Sequence, residues 1–188
     1  MRVVFLDRDG VINENRANYV TSWGEFRLLQ GSLEALALLT RCGYRIFIVT
    51  NQACINRGLV ERTTVDAIHL RLAQIAQDHG ARINDVRLCP HRPDENCRCR
   101  KPQPGMLLDL AHQYNIDLDH ATFIGDALSD VAAGRAVGCQ TVLVRSGRGA
   151  EQCRMLTNDT PQPDFIAADL LTASRWLCGR RETVLTPC

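Results

Sequence analysis

The sequence predicts an α/β domain in three layers, built on a doubly wound parallel sheet. Short apolar, β-rich runs recur at 3–6, 45–49, 85–88, 121–124 and 141–144, with a weaker one at Phe165-Ile166, and helical patterns fill the stretches between them. Strands that alternate with helices are joined by crossovers, which cover both faces of a parallel sheet. At 188 residues the chain is long enough for one well-buried core and short for two, so 1–188 is read as a single Rossmann-like domain without an inserted cap.

Each element has a local reason. The first strand, Val3-Val4-Phe5-Leu6, is apolar at every position, as a strand covered on both faces must be. Gly31-Ser32 introduces a helix over 33–41 with Leu33, Leu36, Ala37 and Leu39 on its apolar face, and Gly43 is its stop signal. Thr63 or Thr64 caps a longer helix to His79, whose stripe is Val65, Ile68, Leu72 and Ile75, with Gly80 beyond. Pro104 occupies the first turn of a helix through Tyr114, and 130–137 and 168–178 read as two more. The tail 180–188 has no periodicity and is read as frayed, with Arg180-Arg181 a solvated helix end.

Composition narrows the function classes. Lys plus Arg number 22 and Asp plus Glu 21, so the net charge of +1 provides no long-range field toward nucleic acid or membrane; a small anionic substrate needs only local charge. No apolar stretch reaches the length of a bilayer span and the N-terminus lacks a leader pattern, so a soluble, cytoplasmic protein is expected, and without an exposed heptad or long apolar stripe a monomer is expected. Nine cysteines are spread along a chain too large and regular to need a disulfide framework. Of these, Cys42, Cys54, Cys139, Cys153, Cys178 and Cys188 lack ligand-like spacing and read as small buried or incidental thiols.

Chemistry gathers where strands end. Asp7-Arg8-Asp9-Gly10 follows the first strand, Thr50-Asn51-Gln52 the second, and Gly125-Asp126 with Asp130 the fourth. In a parallel sheet all three ends lie on one edge, beyond which ligands bind. Carboxylates gathered there repel one another unless a cation sits among them, and oxygen ligands of this kind suit Mg²⁺. Asp7 is then placed to attack phosphorus while Asp9 protonates the leaving alkoxide and later deprotonates water. Thr50, and backbone N–H groups of the loop through Asn51 and Gln52, face the phosphoryl oxygens. Lys101, the chain's single lysine, supplies compact positive charge, and Asp126 completes the metal shell with Asp130 as its orienter.

A second cluster reads Cys89-Pro90-His91, five residues, then Cys97-Arg98-Cys99. Three thiolates and an imidazole match a tetrahedral zinc centre closed by protein alone, which would pin the loop 89–99 and with it Arg100 and Lys101.

The segments FLDRDGVIN, VTNQ, CRKPQPGM and FIGDALSD resemble those of the haloacid dehalogenase superfamily of phosphohydrolases, over Val3 to about Arg145. The Cys/His insert before RKP narrows the resemblance to the D-glycero-D-manno-heptose 1,7-bisphosphate 7-phosphatases and the related histidinol-phosphate phosphatases. The resemblance implies Asp7 as nucleophile, Asp9 as acid/base, Thr50 and Lys101 as phosphoryl stabilisers and Arg100 as a substrate-recognition residue. It implies magnesium on Asp7, Asp126 and the backbone carbonyl of Asp9, and places Asn15 to Tyr19 in a loop over the site. There Tyr19 either contacts sugar hydroxyls or belongs to a loop that is polar like any other. Relatives often carry a lysine where this chain has Ala127; Arg57 or Arg148 either compensates or is an exposed surface charge.

The expected reaction is removal of the C7 phosphate of a heptose 1,7-bisphosphate. The adjoining Arg100 and Lys101 favour that bisphosphate over the cationic histidinol phosphate. The near-neutral charge and few aromatics disfavour a nucleic-acid 3′-phosphatase, and the intact acidic set disfavours a silent zinc-stabilised interaction domain.

Overall fold

The computed structural model describes residues 2–179. The expectations for 180–188 lie outside the described residues. Six strands, β1 (Arg2–Leu6), β2 (Tyr44–Asn51), β3 (Ile83–Cys89), β4 (Ala121–Gly125), β5 (Gln140–Val144) and β6 (Phe165–Ala167), form one parallel sheet in the order β3-β2-β1-β4-β5-β6.

Side chains alternate across the sheet and separate two cores. Val4, Leu6, Ile46, Ile48 and Ile124 face helices α1 (Ser32–Arg41) and α2 (Arg62–Asp78), and the same layer holds the last helix, α6 (Leu170–Gly179). Val3, Phe5, Phe47, Val49 and Phe123 face α3 (Gly105–Tyr114) and α4 (Leu128–Arg135). On this second face Phe5 packs against Phe47 and Phe123, with ring centroids 5.9 and 6.5 Å apart.

The chain leaves β1 toward β2 over one face and later lays β4 on the other side of β1. Connections after β1 and β4 therefore diverge and open a crevice at the carboxyl ends of these strands, the switch point where ligands bind in such sheets. No described helix is long and apolar enough to cross a membrane.

Several details differ from expectation. The helix expected at 130–137 begins earlier, at Leu128, because Asp130 serves its N-terminus from the third position: its Oδ2 accepts the Ala127 N–H at 3.1 Å. The helix expected from a Thr63 or Thr64 cap starts at Arg62, after Glu61. A short helix, α5 (Gly149–Arg154), follows β5 where none was expected. Cys42 and Cys178, expected as incidental thiols, are paired in a disulfide. The pairing is tertiary in origin: α6 packs beside α1 and brings Cα atoms 136 residues apart in sequence to 6.1 Å.

Candidate active site

Asp7 leaves the end of β1 nearly buried, at 6 % exposure, and its own N–H donates to the β4 carbonyl of Ile124 at 3.0 Å. Its Oδ1 accepts the Arg8 N–H at 2.7 Å and Lys101 Nζ at 2.9 Å. Its Oδ2 carries no hydrogen bond to any described residue. One carboxylate oxygen is thus fixed and the other is left for a reacting group.

Lys101 arrives from the far side of the sheet, on the loop before α3. Its buried ammonium donates to the Val49 carbonyl at 2.8 Å and forms ion pairs with Asp7 Oδ1 at 2.9 Å and Asp130 Oδ1 at 2.8 Å. Three oxygens thus crowd within 2.9 Å of one nitrogen, a geometry that suits a compact ammonium and accounts for lysine here in a chain that otherwise uses arginine. Asn51 braces the loop by accepting the Lys101 N–H at 3.1 Å and donating to its carbonyl at 3.2 Å.

Asp126 ends β4 fully buried. Its Oδ2 accepts the Arg148 N–H at 2.8 Å, while Oδ1 accepts no hydrogen bond and has only the Arg148 guanidinium, at 3.7 Å. Gly10, at φ +87°, passes so close that a Cβ there would overlap the Asp126 carboxylate; a side chain at this position would close the site.

Asp7, Asp126 and Asp130 present carboxylate oxygens within 4.8 Å of one another, against the single ammonium of Lys101. Burial first, then repulsion from Asp130 and Asp126, outweighs Lys101 and pushes the Asp7 carboxyl up to about 7. Burial and Asp130 likewise raise Asp126. Burial works against the Lys101 charge, but Asp130 and Asp7 overcome it and raise its pKa. An excess of buried negative charge and an orphaned oxygen fit a hard divalent cation. Asp130 departs from its expected part: its oxygens engage Lys101 and the α4 N-terminus, so it orients the lysine and not Asp126.

The carboxylate of Asp9 is held from three sides. Arg8 reaches it through Nε at 3.2 Å and Nη2 at 2.9 and 2.8 Å, Asn13 donates at 2.8 Å, and Gln52 Nε2 donates at 2.8 Å. Burial acts to raise this carboxyl, but the Arg8 charge and these hydrogen bonds prevail and hold it below its ordinary value. Gln52 Nε2 also donates to Thr50 Oγ1 at 2.8 Å, leaving the threonine hydroxyl proton for another acceptor.

The crevice is a cavity of about 740 Å³ lined by Asp7, Asp9, Thr50, Asn51 and Lys101, with Tyr19, Arg16, Arg100 and Arg148 among its walls. Tyr19 holds a left-handed backbone, φ +64°, as the loop folds over the site. Arg100 donates through Nη1 to the His91 carbonyl at 3.1 Å. Arg148, with Arg57 one of two candidates to compensate for Ala127, stands on the cavity wall. Two expected substrate contacts lie elsewhere. Gln52 is fully buried beneath Asp9 and Thr50, because it follows a cavity-facing Asn51 and points the opposite way. Arg57 sits exposed in the turn after β2, where its N–H donates to the Ala53 carbonyl and the chain curls away from the crevice.

The ligand atoms of Cys89, His91, Cys97 and Cys99 converge. Cys89 Sγ lies 3.4 Å from His91 Nδ1 and 3.5 Å from Cys97 Sγ, and Cys99 Sγ lies 3.1 Å from Cys89 Sγ and 3.2 Å from His91 Nδ1. Zinc–sulfur bonds of about 2.3 Å in a tetrahedron place sulfurs about 3.7 Å apart, so the donor set fits a closed four-ligand metal centre.

Arg8, Asn13 and His69 escaped sequence reasoning. Arg8 stood inside the catalytic motif as a spacer between aspartates. His69 carried a signal: it falls with Val65, Leu72 and Ala76 on the buried face of α2, an unusual place for an imidazole.

A family model described as HAD-hydrolase-like matches residues 98–173. The chain is 40 % identical to the D-glycero-beta-D-manno-heptose-1,7-bisphosphate 7-phosphatase of Pseudomonas putida, over 94 % of this chain and 99 % of that protein. It is 36 % identical to the enzyme of the same name from Bordetella bronchiseptica, over 94 % of this chain and 98 % of that protein. The crystal structure of D,D-heptose 1,7-bisphosphate phosphatase from B. bronchiseptica, complexed with magnesium and phosphate, superposes with a TM-score of 0.91 at 35 % identity, covering 96 % of this chain and 99 % of that one. With its nucleophile-bearing strand end at the switch point and relatives matched over nearly their whole length, the chain belongs to the haloacid dehalogenase-like hydrolase family and is a phosphatase.

Proposed function

We propose that this protein removes the C7 phosphate of D-glycero-β-D-manno-heptose 1,7-bisphosphate through an aspartyl-phosphate on Asp7. The observation that carries the reading is that Asp7 lines the cavity with Oδ1 held by Lys101 and the Arg8 N–H while Oδ2 takes no hydrogen bond from a described residue. The β configuration follows the names of the relatives. Cations on the cavity wall, Arg16, Arg100 and Arg148, favour a substrate with two phosphates over cationic histidinol phosphate. The protein is read as a cytoplasmic monomer acting on a small molecule.

Asp7 Oδ2 attacks phosphorus in line with the C7 oxygen, and the bond to that oxygen breaks as the new one forms. Lys101 and the Thr50 hydroxyl stabilise the charge spread over the phosphoryl oxygens. Asp9, which its partners hold ionised, takes a proton from the water that cleaves the aspartyl-phosphate and gives that proton to the departing alkoxide of the next turnover. Asp7, Asp126 and the Asp9 carbonyl would hold magnesium, which would neutralise the buried carboxylates and polarise the phosphoryl group. Cys89, His91, Cys97 and Cys99 would hold zinc, which would keep their loop folded. Through the His91 carbonyl that loop holds Arg100 at the cavity mouth.

Phosphate release from both anomers of the bisphosphate, histidinol phosphate and a 3′-phosphorylated oligonucleotide tests the assignment, with magnesium present and then chelated. The β-anomer is expected to have the highest kcat/KM, and Asp7→Asn to abolish turnover on it. Preference for another substrate overturns the substrate assignment, and substantial turnover by Asp7→Asn excludes the covalent step.

A further inference from the structure

Between the two aspartates of the motif, the Arg8 side chain turns away from the cavity and runs into the protein with no exposed surface. Its guanidinium is gripped on three sides. Nε and Nη2 bond Asp9, Nη1 lies 3.0 Å from His69 Nε2 on α2, and the plane lies over the Phe26 ring, 5.8 Å from its centroid. Phe26 is itself stacked on Trp23, with centroids 4.9 Å apart and planes 11° from parallel, and the Arg71 guanidinium covers Trp23 at 4.7 Å.

An arginine does not give up its proton in a protein, so the imidazole nitrogen facing Nη1 must accept. His69 is therefore neutral, with its proton on Nδ1, and the low proton affinity that burial and then the Arg8 charge impose agrees with this. His69 does not line the cavity.

We propose that His69 is a positioning residue for catalysis: by accepting from Arg8 it fixes the guanidinium that aims the Asp9 carboxylate at the leaving oxygen. Nothing else in the mechanism uses this buried imidazole. Without its acceptor, Nη1 is left unsatisfied in the interior, and the arginine can recover a partner only by rotating, which pulls at the three bonds it makes to Asp9. The inference rests on the acid/base reading of Asp9.

The geometry supplies a discriminating pair of variants. A glutamine amide reaches about as far as Nε2 and an asparagine amide only as far as Nδ1, so His69→Gln retains an acceptor for Arg8 and His69→Asn does not. Glutamine is near in size to histidine and asparagine is smaller, and His69→Leu serves as an apolar third that fills the space without an acceptor. General-acid catalysis contributes about 10²–10⁴-fold, so a misaimed acid should cost about tenfold or more in kcat on the sugar bisphosphate. The expected result for His69→Asn is that loss in the single-turnover release of the sugar monophosphate with KM within about twofold, and less than about threefold loss in the single-turnover release of nitrophenolate from p-nitrophenyl phosphate, whose leaving group departs without a proton. Both readouts precede hydrolysis of the aspartyl-phosphate, where Asp9 acts as base on either substrate. His69→Gln is expected to recover most of the kcat.

Asp9→Asn, run beside them, separates the two claims. If Asp9→Asn loses equally on both substrates in these single turnovers, the acid reading of Asp9 fails. If Asp9→Asn discriminates between them while His69→Asn keeps wild-type kcat, loses equally on both, or is not rescued as His69→Gln, the positioning role fails.

Discussion

Replacing Lys101 with methionine removes one ammonium and almost nothing else, since the unbranched side chain is of similar volume. The wild-type ammonium serves Asp7 Oδ1, Asp130 Oδ1 and the Val49 carbonyl, all within 2.9 Å, in a pocket that leaves the lysine side chain 2 % exposed. Removing one partner of a buried ion pair costs about 3–5 kcal/mol, because the charge left behind is uncompensated. Asp7 limits the loss by taking up a proton, toward which it is already driven with its carboxyl at about 7. For a chain of this size about 1 kcal/mol moves Tm by about 2–4 °C, so Lys101→Met should melt about 6–20 °C below wild type in a chelating buffer. Saturating magnesium should narrow the gap, since a divalent cation among Asp7, Asp126 and Asp130 replaces the missing charge. Lys101→Arg should not restore stability: a broad planar guanidinium cannot bring its charge within about 3 Å of three oxygens grouped around one nitrogen. Turnover should fall about 10²–10³-fold in both variants, the usual loss of one stabilising donor at a developing charge. Thermal melts with chelator and with magnesium, alongside phosphate release, test this. A Lys101→Met protein melting within about 2 °C of wild type in chelator would refute the argument that this ammonium balances the buried carboxylates.

His69 makes a second measurable contribution. Burial, the Arg8 charge and Arg62, opposed only by Asp9, lower its pKa to about 3 in the folded protein, whereas the unfolded chain takes up that proton near pH 6.5. Between these values the unfolded state binds more protons, so this stability is complete above about pH 7 and declines as pH falls toward 3, by at most about 1.4 kcal/mol per pH unit. From pH 7 to 5, urea midpoints in magnesium should fall further for wild type than for His69→Gln, by the equivalent of about 2 kcal/mol; parallel curves would contradict it. For the loop at 89–99, a Cys97→Ala, Cys99→Ala protein should lose bound zinc, melt at lower temperature and show KM raised several-fold, because His91 no longer holds Arg100. Wild-type kinetics in that protein with no zinc by elemental analysis would separate the loop from substrate binding.

The clearest readings from sequence were those set by local chemistry. Apolar runs such as 3–6 and 121–124 can be nothing but covered strands, and the carboxylates that follow them, Asp7, Asp9 and Asp126, meet on one sheet edge because parallel strands all point one way. The Cys/His insert was equally plain, since short paired spacings already bring ligands within reach of one ion. Helix boundaries were less certain. Asp130 looks like a helix start but acts from the third position, a distinction that depends on which backbone N–H it reaches.

Contacts between segments distant in sequence had no such signature. Nothing local says that Gln52 lies beneath Asp9 while Asn51 faces the cavity, that Arg57 curls out to solvent, or that Cys42 meets Cys178 across the α1–α6 seam. The residue types and their order along the strands determined which chemistry is possible, because charge, ligand type and strand direction are local properties. Only the packing of α2 against the first loop decided that His69 and Arg8 stand behind Asp9, because a buried hydrogen bond between residues 61 positions apart exists only once the helix has been laid on the sheet.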